Sequence, residues 1–237
     1  MLDYTKYSDV SAKKSDYNEG LRVYMLNIFK NMGVALAITA VMAMIVASSP
    51  QLMQLFFSTP LKWVVMFAPL GMVFYMSAKI NSMSYHTAQI SLWVYSALMG
   101  ISLASIMYMY TQESIAKVFF ITSSLFGSMA IYGHTTKKDL SGLGSFLFMG
   151  LIGLIIASFA NLYFQSSALG NVLSYVGVLV FTLLTAYDVQ KLKRLYYQIG
   201  GDAEQARKVS IYGALSLYMD FINLFIFLMR IFGVRRD

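Results

Sequence analysis

The stretch Val-Ser-Ile-Tyr-Gly-Ala-Leu-Ser-Leu-Tyr-Met-Asp-Phe-Ile-Asn-Leu-Phe-Ile-Phe-Leu-Met-Arg-Ile-Phe (209–232) decides the fold. It is long and apolar enough for a helix rising about 1.5 Å per residue to cross a hydrocarbon core of about 30 Å. Yet Asp220 sits at its middle. An aspartate at the centre of a membrane helix costs roughly 2.5 to 3.5 kcal/mol on insertion scales, so such residues face a protein interior or a watery path and mark function. Ser216, Asp220 and Asn223 are four and three residues apart, which gathers them on one helical face. Lipid exposure of three polar side chains is expensive, so that face turns inward.

Working outward, six more runs of similar length precede this one, at roughly 28–47, 61–80, 88–110, 115–133, 143–164 and 171–190. Each must be helical, because an isolated strand leaves its backbone groups unpaired in lipid. Ser48-Ser49-Pro50 ends the first, Thr59-Pro60 opens the second, and Gly200-Gly201-Asp202 turns the chain between the last two. Pro69 should kink the second span. The composition agrees: 58% hydrophobic and 12% charged, against about 25% charged in soluble proteins. The expectation is an all-α, polytopic seven-helix transmembrane bundle: a polar N-terminal tail at 1–27 and a single domain at 28–237.

Basic residues orient the bundle. Lys6, Lys13, Lys14, Arg22, Lys30, Lys79, Lys137, Lys138, Lys191, Lys193, Arg194, Arg207 and Lys208 fall on one side, and the opposite loops hold Lys62 and Lys117. The positive-inside rule then places the N-terminus in the cytoplasm. The tail shows no secretory signal, so the first span is expected to be retained, in a bacterial inner membrane if the source is prokaryotic. Arg230, Arg235 and Arg236 fit less well, since seven full spans put them outside. The last segment is either a full span, favoured by its length, or re-entrant.

Several chemistries are excluded. Without cysteine there is no disulfide, thiol catalysis or cysteine-ligated metal, and His86 and His134 form no ligand cluster. No cofactor and no tightly bound metal are expected. The net charge of +7 is scattered over span ends rather than gathered with exposed aromatics, so the partner is the lipid bilayer and not nucleic acid. No internal repeat suggests an inverted-repeat transporter. Gly150, Gly153, Ala157 and Ala160 recur at three- and four-residue steps in the fifth span, a pattern for close helix packing inside the bundle or at a dimer face.

A second acid, Asp188, closes the sixth span at Thr-Ala-Tyr-Asp (185–188), with Thr185 on its face. With the turn near residues 200–204 and residue 204 midway between 188 and 220, Asp188 and Asp220 would lie at similar depth in an antiparallel hairpin. Two carboxylates about 4 Å apart repel by on the order of 4 kcal/mol at an effective dielectric near 20. Such a pair shares a proton at low pH and releases it as pH rises, which suits a pH switch or a cation site. Calcium wants six to eight oxygens, and Ser216, Asn223, Thr185 and water would complete that number only loosely. Lys79 is a candidate latch for one aspartate. The alternative for Asp188 is a solvated helix end paired with Lys191 or Arg194.

The run Gly-His-Thr-Thr-Lys-Lys-Asp-Leu-Ser (133–141), the Tyr-Asp pair (187–188) and Ala-Leu-Ser-Leu-Tyr-Met-Asp-Phe-Ile-Asn-Leu-Phe (214–225) together resemble the Bax inhibitor family of membrane proteins. The resemblance implies a bundle with the last helix central, a pH-sensitive calcium leak, and a pH-sensing pair at Asp188 and Asp220. It also implies stress or cell-death regulation, with modulation of a membrane-bound protease in bacteria. The expected function is thus a calcium leak gated by the aspartate pair; the alternative is a non-conducting regulator that binds a membrane protease. An enzyme is not expected, because neither aspartate lies in the Gly-x-Gly-Asp setting of an intramembrane protease. His134, Lys137, Lys138 and Asp139 read first as a basic turn rather than a binding site.

Overall fold

A computed structural model of the chain describes residues 4–79, 82–200 and 202–236, with side chains from residue 19 onward. The described residues form eight helices: α1 (Tyr4–Ser48), α2 (Pro50–Ser58), α3 (Leu61–Lys79), α4 (Tyr85–Met109), α5 (Gln112–Thr135), α6 (Ser141–Phe164), α7 (Ser167–Gln198) and α8 (Ala203–Phe232). Seven of them, all but α2, are long and apolar enough to cross a membrane, and they coincide with the seven runs read from the sequence. Their starts follow from local chemistry. Ser84, Thr111, Ser166 and Asp202 each accept a hydrogen bond from a backbone N–H in the first turn of the helix that follows, satisfying donors that no helical carbonyl can reach. Ser49 does the same for the short α2, with Pro50 at its first position.

α8 is the central element. It packs against α1, α4, α5 and α7, while α3 lies against α4 and α6 against α7. Half of the apolar window of α8 is buried, against 17% in α3 and in α6. Leu215, Leu217, Tyr218 and Leu224 are fully enclosed. The Thr39 hydroxyl of α1 lies 2.9 Å from the Ser96 carbonyl of α4 and 2.6 Å from the Tyr218 hydroxyl of α8, so three helices meet in one buried polar contact. The core also takes in part of the stretch assigned to the tail, since α1 is continuous through residue 27 and Leu21, Tyr24 and Met25 are buried.

Glycines allow α7 to approach its neighbours. A Cβ on Gly133 of α5 would fall on the backbone carbonyl of Ala186, one on Gly144 of α6 would meet the Tyr187 ring at 2.5 Å, and one on Gly177 would meet the Phe227 ring at 2.6 Å. In α6 the small-residue stripe divides: Gly150 touches Val180, whereas a Cβ on Gly153 would meet nothing. In α3, Pro69 has no N–H for the carbonyl of Val65 four residues earlier. Ser102 of α4 donates its hydroxyl to that carbonyl at 2.6 Å.

The last segment is one continuous helix rather than a re-entrant turn. The chain beyond it folds back onto the α4–α5 connection. Thr111 N–H donates to the Val234 carbonyl at 3.0 Å, Arg236 N–H to the Met109 carbonyl at 2.9 Å, and Val234 N–H to the Ser114 hydroxyl at 2.9 Å. This tail lies at the end of the bundle away from Arg22, Lys193 and Arg194.

Candidate ion-path site

Asp188 and Asp220 are both buried, 8% and 6% exposed, on neighbouring helices. α7 continues ten residues past Asp188, to Gln198, so Asp188 is not at a helix end. Arg194 is engaged elsewhere, on Asp139 and Ser141. The Asp188 carboxylate instead accepts a hydrogen bond from Ser216 of α8 at 2.5 Å. This contact, with Leu192 against Gly213 and Gly177 against Phe227, sets the register of the hairpin.

That register corrects the expectation of similar depth. The turn is centred between Gln198 and Ala203 rather than at 204, midway between the acids. Asp188 therefore faces Ser216, and Asp220 lies one helical turn, about 6 Å, farther from the basic end. Among the described residues no hydrogen bond joins the two carboxylates.

The supporting residues divide. Thr185 is fully buried but donates its hydroxyl to the Phe181 carbonyl at 2.8 Å in its own helix. Asn223 donates to the Met219 carbonyl at 2.8 Å and lines a cavity of about 700 Å³ between α3, α4 and α8 rather than the hairpin seam. Lys79 is exposed at the end of α3, and no ion pair links it to either aspartate. Lys191, three residues after Asp188, rests its Nζ 5.9 Å from the Tyr187 ring centroid.

Thr182 was not singled out from the sequence. Its Oγ1 and Asp220 Oδ2 are two of the three buried side-chain polar atoms without a hydrogen-bond partner among the described residues. Both lie deeper than the Asp188–Ser216 contact, within about 3 Å of the same level on the shared register. The signal was present in the sequence: Thr182, Thr185 and Asp188 are spaced by threes along α7. No group of three or more His, Cys, Asp or Glu side chains able to hold a metal occurs among the described residues. Two carboxylates with the hydroxyls of Ser216 and Thr182 fall short of the six to eight oxygens of a calcium cage.

The 136–140 turn is stapled to α7. Gln190 accepts from Leu140 N–H at 2.9 Å and donates to the Lys138 carbonyl at 2.8 Å, and Lys193 donates to the His134 carbonyl at 3.0 Å. Asp139, outside the spans, is held well below the usual carboxylate range, at about 2, by hydrogen bonds from the Ser141 hydroxyl and backbone N–H and from Arg194.

The comparisons with known proteins agree with this architecture. The family model described as inhibitor of apoptosis-promoting Bax1 matches residues 21–237. A protein of Rickettsia prowazekii is 47% identical over 237 residues, 100% of both chains. The inner membrane protein YbhL of Escherichia coli K12 is 46% identical over 219 residues, 92% of this chain and 94% of that one. A protein of Caulobacter vibrioides is 41% identical over 239 residues, 96% of each chain. With seven membrane-length helices among the described residues and a family model that matches residues 21–237, this chain belongs to the Bax inhibitor family of integral membrane proteins.

Proposed function

We propose that this protein is a passive, pH-sensitive cation pathway, with calcium as its principal cargo, in which Asp188 and Asp220 govern passage. The observation that carries the reading is the buried, partnerless Asp220 Oδ2 one turn beyond the Asp188–Ser216 hydrogen bond. A buried polar atom without a partner is costly, and a proton or a cation at that atom removes the cost. When both acids are ionised they repel each other and attract a divalent ion; protons compete for the same oxygens. The inner-membrane location in the name of YbhL supports the same location here. The reading assigns no enzymatic step to the chain.

Reconstitution into liposomes loaded with a calcium-sensitive dye tests it. Calcium entry is expected to depend on pH, and Asp220→Asn and Asp188→Asn are each expected to abolish that dependence. Robust, pH-dependent flux that both variants leave unchanged would overturn the mechanism. A chain that acted only on a membrane-bound protease would give no flux in any variant.

A further inference from the structure

At the basic end of the bundle a cleft of about 750 Å³ opens between α1, α5 and α7. Its walls are apolar along about 12 Å of α5, from Phe126 to His134, and are completed by Met25 and Phe29 of α1. Gly127 forms part of the wall, and a Cβ there would meet nothing within 4 Å. The polar side chains, Arg22, His134, Thr135, Lys193 and Tyr197, are at one end, where Arg22 pairs with Glu19 at 3.4 Å.

A second cavity, of about 330 Å³, adjoins the first and shares Lys193 and Tyr197 with it. It adds Lys137, Lys138 and Arg194. The acid that lines it, Asp139, is held by Arg194 and Ser141, so its charge is already engaged. Lys193 gives one N–H to the His134 carbonyl, which leaves two of its three donors for another acceptor. An apolar trough that ends in a cluster of lysines, at one end of a membrane-length bundle, has the polarity of an anionic amphiphile. A free phosphate would leave the trough unused, and a zwitterionic lipid would leave the excess positive charge unbalanced.

We infer that the α1–α5–α7 cleft binds an anionic phospholipid, with an acyl chain along Phe126 and Phe29 and the phosphate among Lys137, Lys138 and Lys193. This site is separate from the aspartate pair and does not depend on any ion moving through the protein.

The test uses the purified full-length protein in detergent, with phosphatidylglycerol, phosphatidylcholine of the same chains, and inorganic phosphate as probes, read by native mass spectrometry. Wild type is expected to retain phosphatidylglycerol about tenfold over phosphatidylcholine, in keeping with several lysines near one headgroup. Lys137→Gln/Lys138→Gln/Lys193→Gln is expected to lose that preference. Gly127→Phe, which fills the trough without changing charge, is expected to weaken retention of phosphatidylglycerol by a similar factor. If the triple variant does not fold, Lys193→Gln alone is expected to lower the preference severalfold. Equal retention of the two lipids, or a preference that survives the lysine and glycine substitutions, would overturn the assignment. Lysine-dependent binding of inorganic phosphate that Gly127→Phe leaves intact, without lipid preference, would overturn it too, by marking a site for soluble anions.

Discussion

Ser216 of α8 hydrogen bonds Asp188 of α7 across the hairpin at 2.5 Å, and this contact holds the two acids one turn apart instead of face to face. Ser216→Ala removes the donor and leaves a buried carboxylate oxygen bare, at a cost of about 1 to 3 kcal/mol. The expected result is a lower unfolding temperature in detergent, with Ser216→Thr, which keeps the hydroxyl, closer to wild type. Equal unfolding temperatures for wild type and Ser216→Ala would show that the contact contributes nothing.

Asp220 should behave in the opposite sense. Its Oδ2 is buried without a partner, so neutralising the side chain relieves a desolvation cost. Asp220→Asn is expected to raise the unfolding temperature by a few degrees while impairing calcium flux, the exchange of stability for activity common at functional sites. A destabilised Asp220→Asn would mean that the carboxylate holds the core together.

Pro69 and Ser102 form a coupled pair. Ser102→Ala strands the Val65 carbonyl and should cost about 1 to 3 kcal/mol. Pro69→Ala restores the N–H that this carbonyl otherwise lacks, so in its presence Ser102→Ala should cost little. A double-mutant cycle on thermal unfolding measures the coupling, and simple additivity contradicts the account.

Gly133 and Gly153 separate close packing from open surface. Gly133→Ala places a methyl group on the Ala186 backbone and forces α5 from α7, an overpacking cost of about 1 to 3 kcal/mol. Gly153→Ala meets no neighbour and is expected to be neutral or to stabilise α6 by up to about 1 kcal/mol. Thermal unfolding of the two variants side by side checks both signs.

Asp139 offers a control for pH dependence. Its carboxyl is depressed to about 2, so its contribution to stability is present above the ordinary aspartate range and is lost as pH falls through about 2. Between pH 5 and 8 it stays ionised. Asp139→Asn is therefore expected to leave the pH profile of calcium flux unchanged across that range, and a displaced profile would place the sensor in the 136–140 turn.

The spans were legible because lipid leaves the backbone no alternative to the helix, and a run such as 209–232 states its own length. α2 was not read, although Ser49 followed by Pro50 is a helix start by its residue types. The pairing level of α7 and α8 was beyond the turn residues alone. It is set by where Phe227 finds Gly177 and Gly213 admits Leu192, contacts that no local pattern announces. Thr185 and Asn223 were read from helical spacing as companions of the acids. Spacing gives the face of a helix, but not which neighbour that face meets.

The clasp between residues 234–236 and the α4–α5 connection pins one end of α8. A rod pinned at one end moves as a lever. Ser216 lies sixteen residues from Phe232, an arm of about 24 Å, so a tilt of about 5° sweeps it through about 2 Å, enough to break its bond to Asp188. Asp220, on a shorter arm, travels less. The amplitude of such a tilt is graded along the helix: on an arm of about 18 Å Asp220 travels about three quarters as far as Ser216, so a tilt that breaks the Asp188 contact also shifts the deeper acid by about 1.5 Å.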